Sequence, residues 1–343
     1  MSQKDLQILK QNMGIDLSMD DFKANLVVLN HKHESQSLGH KTFRNSIAGI
    51  EEFLSWAEKN GDPAVELEFT MEATGIYYEN LAYTLFERGR VVHVVLPNLA
   101  KKFTDSLGIR SKTDKLDAYA LGRLGVERRL SRWQPASKNI RILKVLTRER
   151  SKRQKATTNA KNQLHALEHS YEPPESSIDR YKETIEFLEG QVKAIEKEIM
   201  DLIRSDSVLD TRISKITSTP GLGYMTVAIV VAETNGFAAI SNIKQLQSYA
   251  GYDVQLKESG KWKGHSRISK KGNSYIRHAL YFPAYTIIKH SSYHKTFYER
   301  LLKEKGKSLI AATAVQRKLL GLIYTLWKKD EYFDPEYGQK NVA

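Results

Sequence analysis

The rhythm of hydrophobic and polar positions changes twice along this chain and divides it into three parts. In the first part, short apolar runs alternate with amphipathic stretches. Residues 13–17 and 22–29 read as a β-hairpin, 46–59 as an amphipathic helix, 65–71 as a strand and 76–88 as a helix. Val91 to Leu96 form a short apolar strand that ends at Pro97. A helix starting near Thr113 then carries Leu116, Ala120, Leu121 and Leu124. Thr113 suits its N-cap, and Asp114 suits the positive end of its dipole. Strands alternating with helices predict an α/β layer architecture.

The second part begins near residue 138. Leu143, Leu146, Leu164 and Leu167 fall on one series of three- and four-residue steps, interrupted by Arg150 and Arg153. Beyond the breaker His169-Ser170-Tyr171-Glu172-Pro173-Pro174, a second series runs through Ile178, Tyr181, Ile185, Leu188, Val192, Ile195, Ile199 and Leu202. That heptad seam, with Pro-Pro between two such helices, predicts an antiparallel coiled-coil hairpin. From Thr219 the pattern changes again. Pro220-Gly221-Leu222-Gly223 before the apolar helix Met225 to Glu233 resembles the turn of a helix-hairpin-helix element, in which amides at a helix N-terminus hold phosphates. Residues 251–278 are rich in glycine and lysine and read as loop. Helices follow over 274–291, with a kink at Pro283, and over 293–304 and 308–328. The expected division is therefore 1–135, 136–217 and 218–343.

Composition narrows the function classes. The 343 residues carry 53 Lys+Arg against 40 Asp+Glu, a formal net charge of +13, which favours a polyanionic partner and also suits simple solubility. No cysteine occurs, which excludes disulfides and thiolate metal sites. Charges in Met1 to Lys10 stand where a signal peptide needs an apolar run. Apolar stretches such as Val227 to Ala232 are too short to span a bilayer, so a soluble, intracellular protein with no membrane partner is expected.

Four carboxylates then suggest chemistry. Asp16 ends the apolar segment Met13-Gly14-Ile15-Asp16, and Glu72 ends Leu67-Glu68-Phe69-Thr70-Met71-Glu72. Asp114 and Asp117 stand three residues apart, on one face of a helix's first turn. Carboxylates are the hard oxygen ligands that Mg²⁺ prefers, and two such ions can clamp the attacking and leaving oxygens of a phosphodiester. A leading hairpin with one acid on its first strand and another on a later strand suits an RNase H-like sheet. The bland alternative is that a chain with 40 acids has many near strand ends, with Asp114 only a capping charge. Candidate nucleic-acid contacts are Arg148, Arg150, Arg153 and Lys155 in the basic first arm, and Lys261, Lys263, Arg267, Lys270 and Lys271 in the later loop. Tyr77-Tyr78 and Tyr281-Phe282 read as core rather than as base-stacking platforms, and the ten histidines show no metal-ligand spacing.

Gly14-Ile15-Asp16, Glu72-Ala73-Thr74-Gly75 and Lys112-Thr113-Asp114-Lys115-Leu116-Asp117-Ala118 together resemble the D-E-D-D transposases of bacterial insertion sequences, the bridge-RNA-guided recombinases. Pro220-Gly221-Leu222-Gly223, Tyr249-Ala250-Gly251, Glu258-Ser259-Gly260 and Ser269-Lys270-Lys271-Gly272-Asn273 are similar to the C-terminal transposase domain of that family. The resemblance implies a RuvC-like, RNase H-fold N-terminal domain, a coiled-coil hairpin and a helical domain with a nucleophilic serine, here Ser259. It implies that Asp16, Glu72, Asp114 and Asp117 hold Mg²⁺. Ser259 would form a transient phosphoserine link to DNA in a composite site that meets across protomers. It further implies a structured guide RNA, a homodimer that pairs again on DNA, and a cytoplasmic, nucleoid-associated bacterial protein. Ser266, Ser269 and Ser274 stand nearby as competing serines. Two places depart from the family pattern: Met19-Asp20-Asp21 stands shortly after the first aspartate where the family often has a lysine, and Lys257 precedes Glu-Ser-Gly where an aromatic is common. The rival readings are a RuvC-like Holliday-junction endonuclease, in which Ser259 is inert, and a non-catalytic nucleic-acid-binding relic.

Overall fold

The computed structural model describes residues 7–73, 75–108, 113–255, 258–259, 262–263 and 267–335, with only the backbone for 255, 258–259, 262–263 and 267. Two compact units emerge, Met1–Pro135 and Ala136–Ala343.

Unit one opens with β1 (Ile8–Leu17), β2 (Asp21–Asn30) and β3 (Ser35–Arg44). Helix α1 (Ile47–Asn60), β4 (Leu67–Glu72), α2 (Glu79–Glu87), β5 (Val91–Val95), α3 (Pro97–Ser106) and α4 (Asp114–Glu127) follow. The sheet order is β3-β2-β1-β4-β5. Strand β2 runs antiparallel to both neighbours, while β1, β4 and β5 run parallel to one another. This mixed sheet bears out the α/β layer architecture and the leading hairpin expected from the sequence. Two elements escape the sequence pattern. β3 buries only Phe43, so this edge strand has no apolar alternation to read. α3 is a short helix with Pro97 in its first turn, where a missing N–H costs nothing.

Side-chain parity divides the sheet. Met13 and Ile15 of β1, Phe22, Ala24 and Leu26 of β2, and Phe69 and Met71 of β4 share one core with Phe53 and Leu54 of α1 and Leu81 and Leu85 of α2. Phe22, Phe43, Phe53 and Phe69 interlock there, with ring centroids 5.2–5.9 Å apart. The intervening residues point to the opposite face, which α4 covers.

Unit two is helical. Helices α5 (Lys138–Glu168) and α6 (Glu175–Ser205) pack on each other as a hairpin. Cross-pairs run in opposite senses along the two, Asn139 with Asp206, Arg150 with Glu196 and Lys161 with Glu189, which fixes the pairing as antiparallel. Of the predicted seam, Leu188, Ile195 and Ile199 are buried, while Ile178, Tyr181 and Ile185 nearer the tip are only half-buried. The hairpin base does not stand apart from the helices after it. Leu143, Leu146, Ile199 and Ile203 share a core with α7 (Ser207–Thr217), α8 (Tyr224–Glu233) and α9 (Ile243–Tyr249), so packing continues through the boundary expected near residue 217.

The stretch read as loop contains two short ladders, β6 (Val254–Gln255) with β9 (Arg267–Ile268) and β7 (Glu258–Ser259) with β8 (Trp262–Lys263). Four helices complete the unit: α10 (Ser274–Ala279), α11 (Tyr281–His290), α12 (Ser292–Lys305) and α13 (Ser308–Lys329). The expected kink at Pro283 is instead a break at Leu280. A proline nitrogen cannot donate to the carbonyl four residues earlier, and it is tolerated in the first turn of the restarted helix. Contrary to the reading of the apolar runs, α13 is long and apolar enough to cross a membrane by length and composition. Here it serves as a core helix, with Ala311, Ala312, Val315, Leu319, Leu320 and Ile323 fully buried.

Candidate active site

Parity and small residues assemble the acids. Asn12, Gly14 and Asp16 point to the α4 face of β1, and Glu68, Thr70 and Glu72 to the same face of β4. Ile15 and Met71 are register partners in the parallel β1–β4 pair, so Asp16 and Glu72 follow at neighbouring strand ends. Helix α4 lies directly on this face because no side chain intervenes. A Cβ on Gly14 would stand 2.0 Å from the Ala118 carbonyl oxygen and 2.1 Å from the Gly122 nitrogen. A Cβ on Gly125 would meet the Asn12 side chain at 2.2 Å. The Thr113 hydroxyl caps α4 by accepting from Leu116 N–H at 3.4 Å. Asp114 and Asp117 occupy the first turn. The helix dipole favours negative charge at that point.

Gly14→Ala is therefore expected to push α4 off the sheet, cost about 1–3 kcal/mol and lower activity by displacing Asp114 and Asp117. Gly190→Ala, with nothing near its added Cβ on helix α6, should be neutral or slightly stabilising. Thermal unfolding and a recombination assay on both variants make the comparison.

Among the four carboxylates, Asp16 senses its neighbours. Asp16 is pushed up to about 6, first by burial and then by the negative charges of Asp117, Asp114 and Glu72, with Lys23 opposing. Lys23 is a residue the sequence reading missed. It lies directly opposite Asp16 in the β1–β2 register, and its ammonium forms an ion pair and hydrogen bond with Asp114. The signal was available: parity places Lys23 on the α4 face once the hairpin register is drawn. β2 thus supplies a cation beside the acids.

The donor set is chemically suited to a hard divalent cation. Among the described residues, no three His, Asp or Glu side chains already converge on an ion position. Lys23 instead neutralises part of the cluster, so a bound ion would have to compete with it for Asp114.

The remaining candidates divide. Ser259 lies in the two-residue strand β7, whose backbone pairs with Trp262 of β8. Ser269 hydrogen-bonds Asp253 Oδ1 at 2.5 Å, and Ser274 is exposed at the start of α10. Ser266 and Lys261 lie outside the described residues, and Lys263 and Arg267 are described by backbone alone. Lys155, Lys270 and Lys271 are exposed, as nucleic-acid contacts would be. Arg148 and Arg150 each have a carboxylate partner within the unit. Arg148 donates from Nε and Nη2 to the two oxygens of buried Glu233, at 2.6 and 2.9 Å. Arg150 is bonded to Glu196 at 2.7 Å, with its side chain 16% exposed. Carboxylates within the unit pair with both guanidinium groups, which accounts for Arg150 among the arginines that interrupt the apolar series of α5. Arg153 faces Glu149 one turn away.

Comparison with known proteins gives a consistent set of likenesses. Residues 13–173 match the DEDD_Tnp_IS110 model, described as a transposase, and residues 213–299 match one described as transposase IS116/IS110/IS902 family. The pilin gene-inverting protein of Moraxella bovis is 29% identical over 332 residues, covering 95% of this chain and 98% of the relative. The pilin gene-inverting protein of Moraxella lacunata is similar to the same extent. Among solved structures, Thermus thermophilus RuvC in complex with a Holliday junction substrate matches at 13% identity and a TM-score of 0.26, over 33% of this chain and 90% of that one.

Proposed function

From the premise that the chain belongs to the IS116/IS110/IS902 transposase family, an enzyme family of DNA recombination, we propose a site-specific recombinase that excises and inserts a mobile element. The observation that carries the reading is that Asp16 and Glu72 end neighbouring strands under the first turn of α4, whose Asp114 and Asp117 add to the burial that raises Asp16. Ser259, in the basic stretch after α9, is the proposed nucleophile. Its hydroxyl attacks a DNA phosphate, and a serine–phosphorus ester forms as the bond from phosphorus to a deoxyribose oxygen breaks. The serine proton is lost and the departing oxygen gains one, so the ester keeps the bond energy for rejoining. Mg²⁺ held by the four acids would polarise the phosphate and offset the charge that develops on it. Lys23 keeps the acid cluster partly neutral until substrate and ion arrive. We further propose that a structured guide RNA selects the sites, and that the protein works in the cytoplasm as a dimer that pairs again on DNA.

A second reading keeps the chemistry and changes the outcome. The relatives from Moraxella are named for inverting a pilin gene, so the same strand exchange on inversely oriented sites would invert a segment. A denaturing gel tests the proposed chemistry. Labelled donor DNA should form a protein-linked band that Ser259→Ala abolishes. Cleavage that persists in Ser259→Ala without an adduct would point to a junction endonuclease in which water attacks.

A further inference from the structure

Helix α11 presents a surface that the acid and serine chemistry does not use. Pro283, Ala284 and Ile287 turn into the core of unit two. Tyr281, Phe282, Tyr285 and Lys289 fall on the opposite side at helical spacing. Tyr281 and Phe282, read from sequence as core, are 39% and 75% exposed. They form one aromatic group rather than scattered rings. The Tyr281 centroid lies 5.2 Å from Phe282 and 5.4 Å from Tyr285. Phe282, the most exposed of the three, presents its ring to solvent at the edge of the group.

The charge along this part of the sequence has one sign. From Ser259 to Tyr298 there is no Asp or Glu; that stretch holds eight Lys or Arg and eight Phe, Trp or Tyr. Lys270, Lys271 and Lys289 are exposed and form no ion pair among the described residues. An apolar protein partner, including a second copy of this chain, would not require forty residues without a carboxylate. A polyanion carrying flat apolar faces would, because phosphates are attracted by the lysines while bases stack on the rings. Duplex DNA hides its base faces inside the helix, so the remaining fit is a strand with unstacked bases.

We propose that Tyr281, Phe282 and Tyr285, with Lys289 on the same side of the helix, form a stacking platform for unpaired nucleotides. The inference deepens the recombinase reading and rests on it in one respect: strand exchange must at some stage expose such nucleotides, in DNA or in a guide RNA. The platform would hold them close in sequence to the serine-bearing segment, since α10 and α11 follow it directly.

The test uses the full-length protein and three fluorescent probes of equal length: oligo-deoxythymidine, oligo-uridine and a DNA duplex. Tyr281→Ala/Phe282→Ala should lose about 10-fold or more in affinity for single strands, while duplex affinity changes by less than about twofold. Phe282→Trp should retain single-strand binding, because it keeps the stacking face. Both substitutions are at exposed positions, so thermal unfolding should be unchanged and separates loss of binding from loss of fold. A loss confined to oligo-uridine would assign the platform to RNA, and one shared by both single strands to unpaired nucleotides in general. Equal losses on duplex and single strands, or no loss, would overturn the proposal. So would a change in sedimentation with binding intact, which would make the surface a contact between copies. The Asp114→Asn protein separates the two claims. If it is inactive in recombination while the aromatic variant still binds single strands normally, the platform fails and the recombinase reading stands.

Discussion

Asp16→Asn should abolish recombination and make the metal-free protein more stable. The substitution preserves shape and removes the charge that the fold tolerates least. In the folded protein Asp16 is raised to about 6 from an ordinary value of 3.8, through burial and the neighbouring Asp117, Asp114 and Glu72. Each tenfold change in proton affinity corresponds to about 1.4 kcal/mol. After allowance for partial exposure, the variant should gain about 1–2 kcal/mol at pH 7.5 with divalent ions chelated. The sign follows from proton linkage. A carboxyl whose folded pKa is raised binds its proton more tightly in the native state, so it destabilises fully above pH 6 and progressively less as pH falls towards 4. The stability difference between variant and wild type should therefore shrink as pH falls through this window. Added Mg²⁺ should raise the melting temperature of the wild type more than that of the variant, because an ion relieves the same repulsion. Activity should fall by about 1,000-fold or more, as expected for a group acting on the transition state. Loss of activity with no change in metal-free stability would mean that Asp16 is not burdened by burial and neighbouring charge as the structure has it.

The second large effect belongs to unit two. Glu233 is buried at the end of α8. Its carboxylate accepts two hydrogen bonds from Arg148 and one from Asn273 Nδ2 at 2.5 Å, and its carbonyl accepts from Tyr249 Oη at 2.7 Å. Arg148 also lies over the Tyr275 ring, 5.1 Å from its centroid. One carboxylate thus ties α5, α8 and the turn before α10 together. Glu233→Ala should cost about 3–5 kcal/mol, because it leaves the guanidinium without a partner in a half-buried place. Replacing both partners with apolar residues, Arg148→Met with Glu233→Leu, should recover much of that loss. Hydrogen exchange of the α8 amides reads the effect within the unit concerned. If Arg148 were mainly a nucleic-acid contact, Glu233→Ala would leave protection unchanged and Arg148→Met would weaken binding alone.

How much could be read in advance depends on where each signal sits along the chain. Met13, Ile15 and Phe22 repeat with the strand period, and Phe53, Leu54 and Ala57 with the helix period, so the sheet and α1 are legible locally. The α4 start is legible because Thr113, Asp114 and Asp117 combine a cap with first-turn acids. β3 is not, since a polar edge strand is held by main-chain bonds to β2 rather than by a buried face. Lys23 needs the hairpin register as well as the sequence. The pairing of Arg148 and Arg150 was illegible for a related reason: their partners Glu233 and Glu196 lie 85 and 46 residues away, and a run of bases looks unpaired until the chain folds back. Tyr281 and Phe282 misled in the other direction. Ile276, Leu280, Ala284 and Ile287 carry the buried face at three- and four-residue steps, and both rings fall off that face although they are apolar.

The most direct measurement co-expresses the protein with a plasmid carrying the DNA that flanks its gene and sequences every new joint. Wild type should give discrete, site-specific joints, read as excision, insertion or inversion according to site orientation. Asp16→Asn, Glu72→Gln, Asp114→Asn, Asp117→Asn and Ser259→Ala should each give none while still accumulating as folded protein. Joints at undiminished frequency in Ser259→Ala, or in any of the four acid variants, would contradict the account.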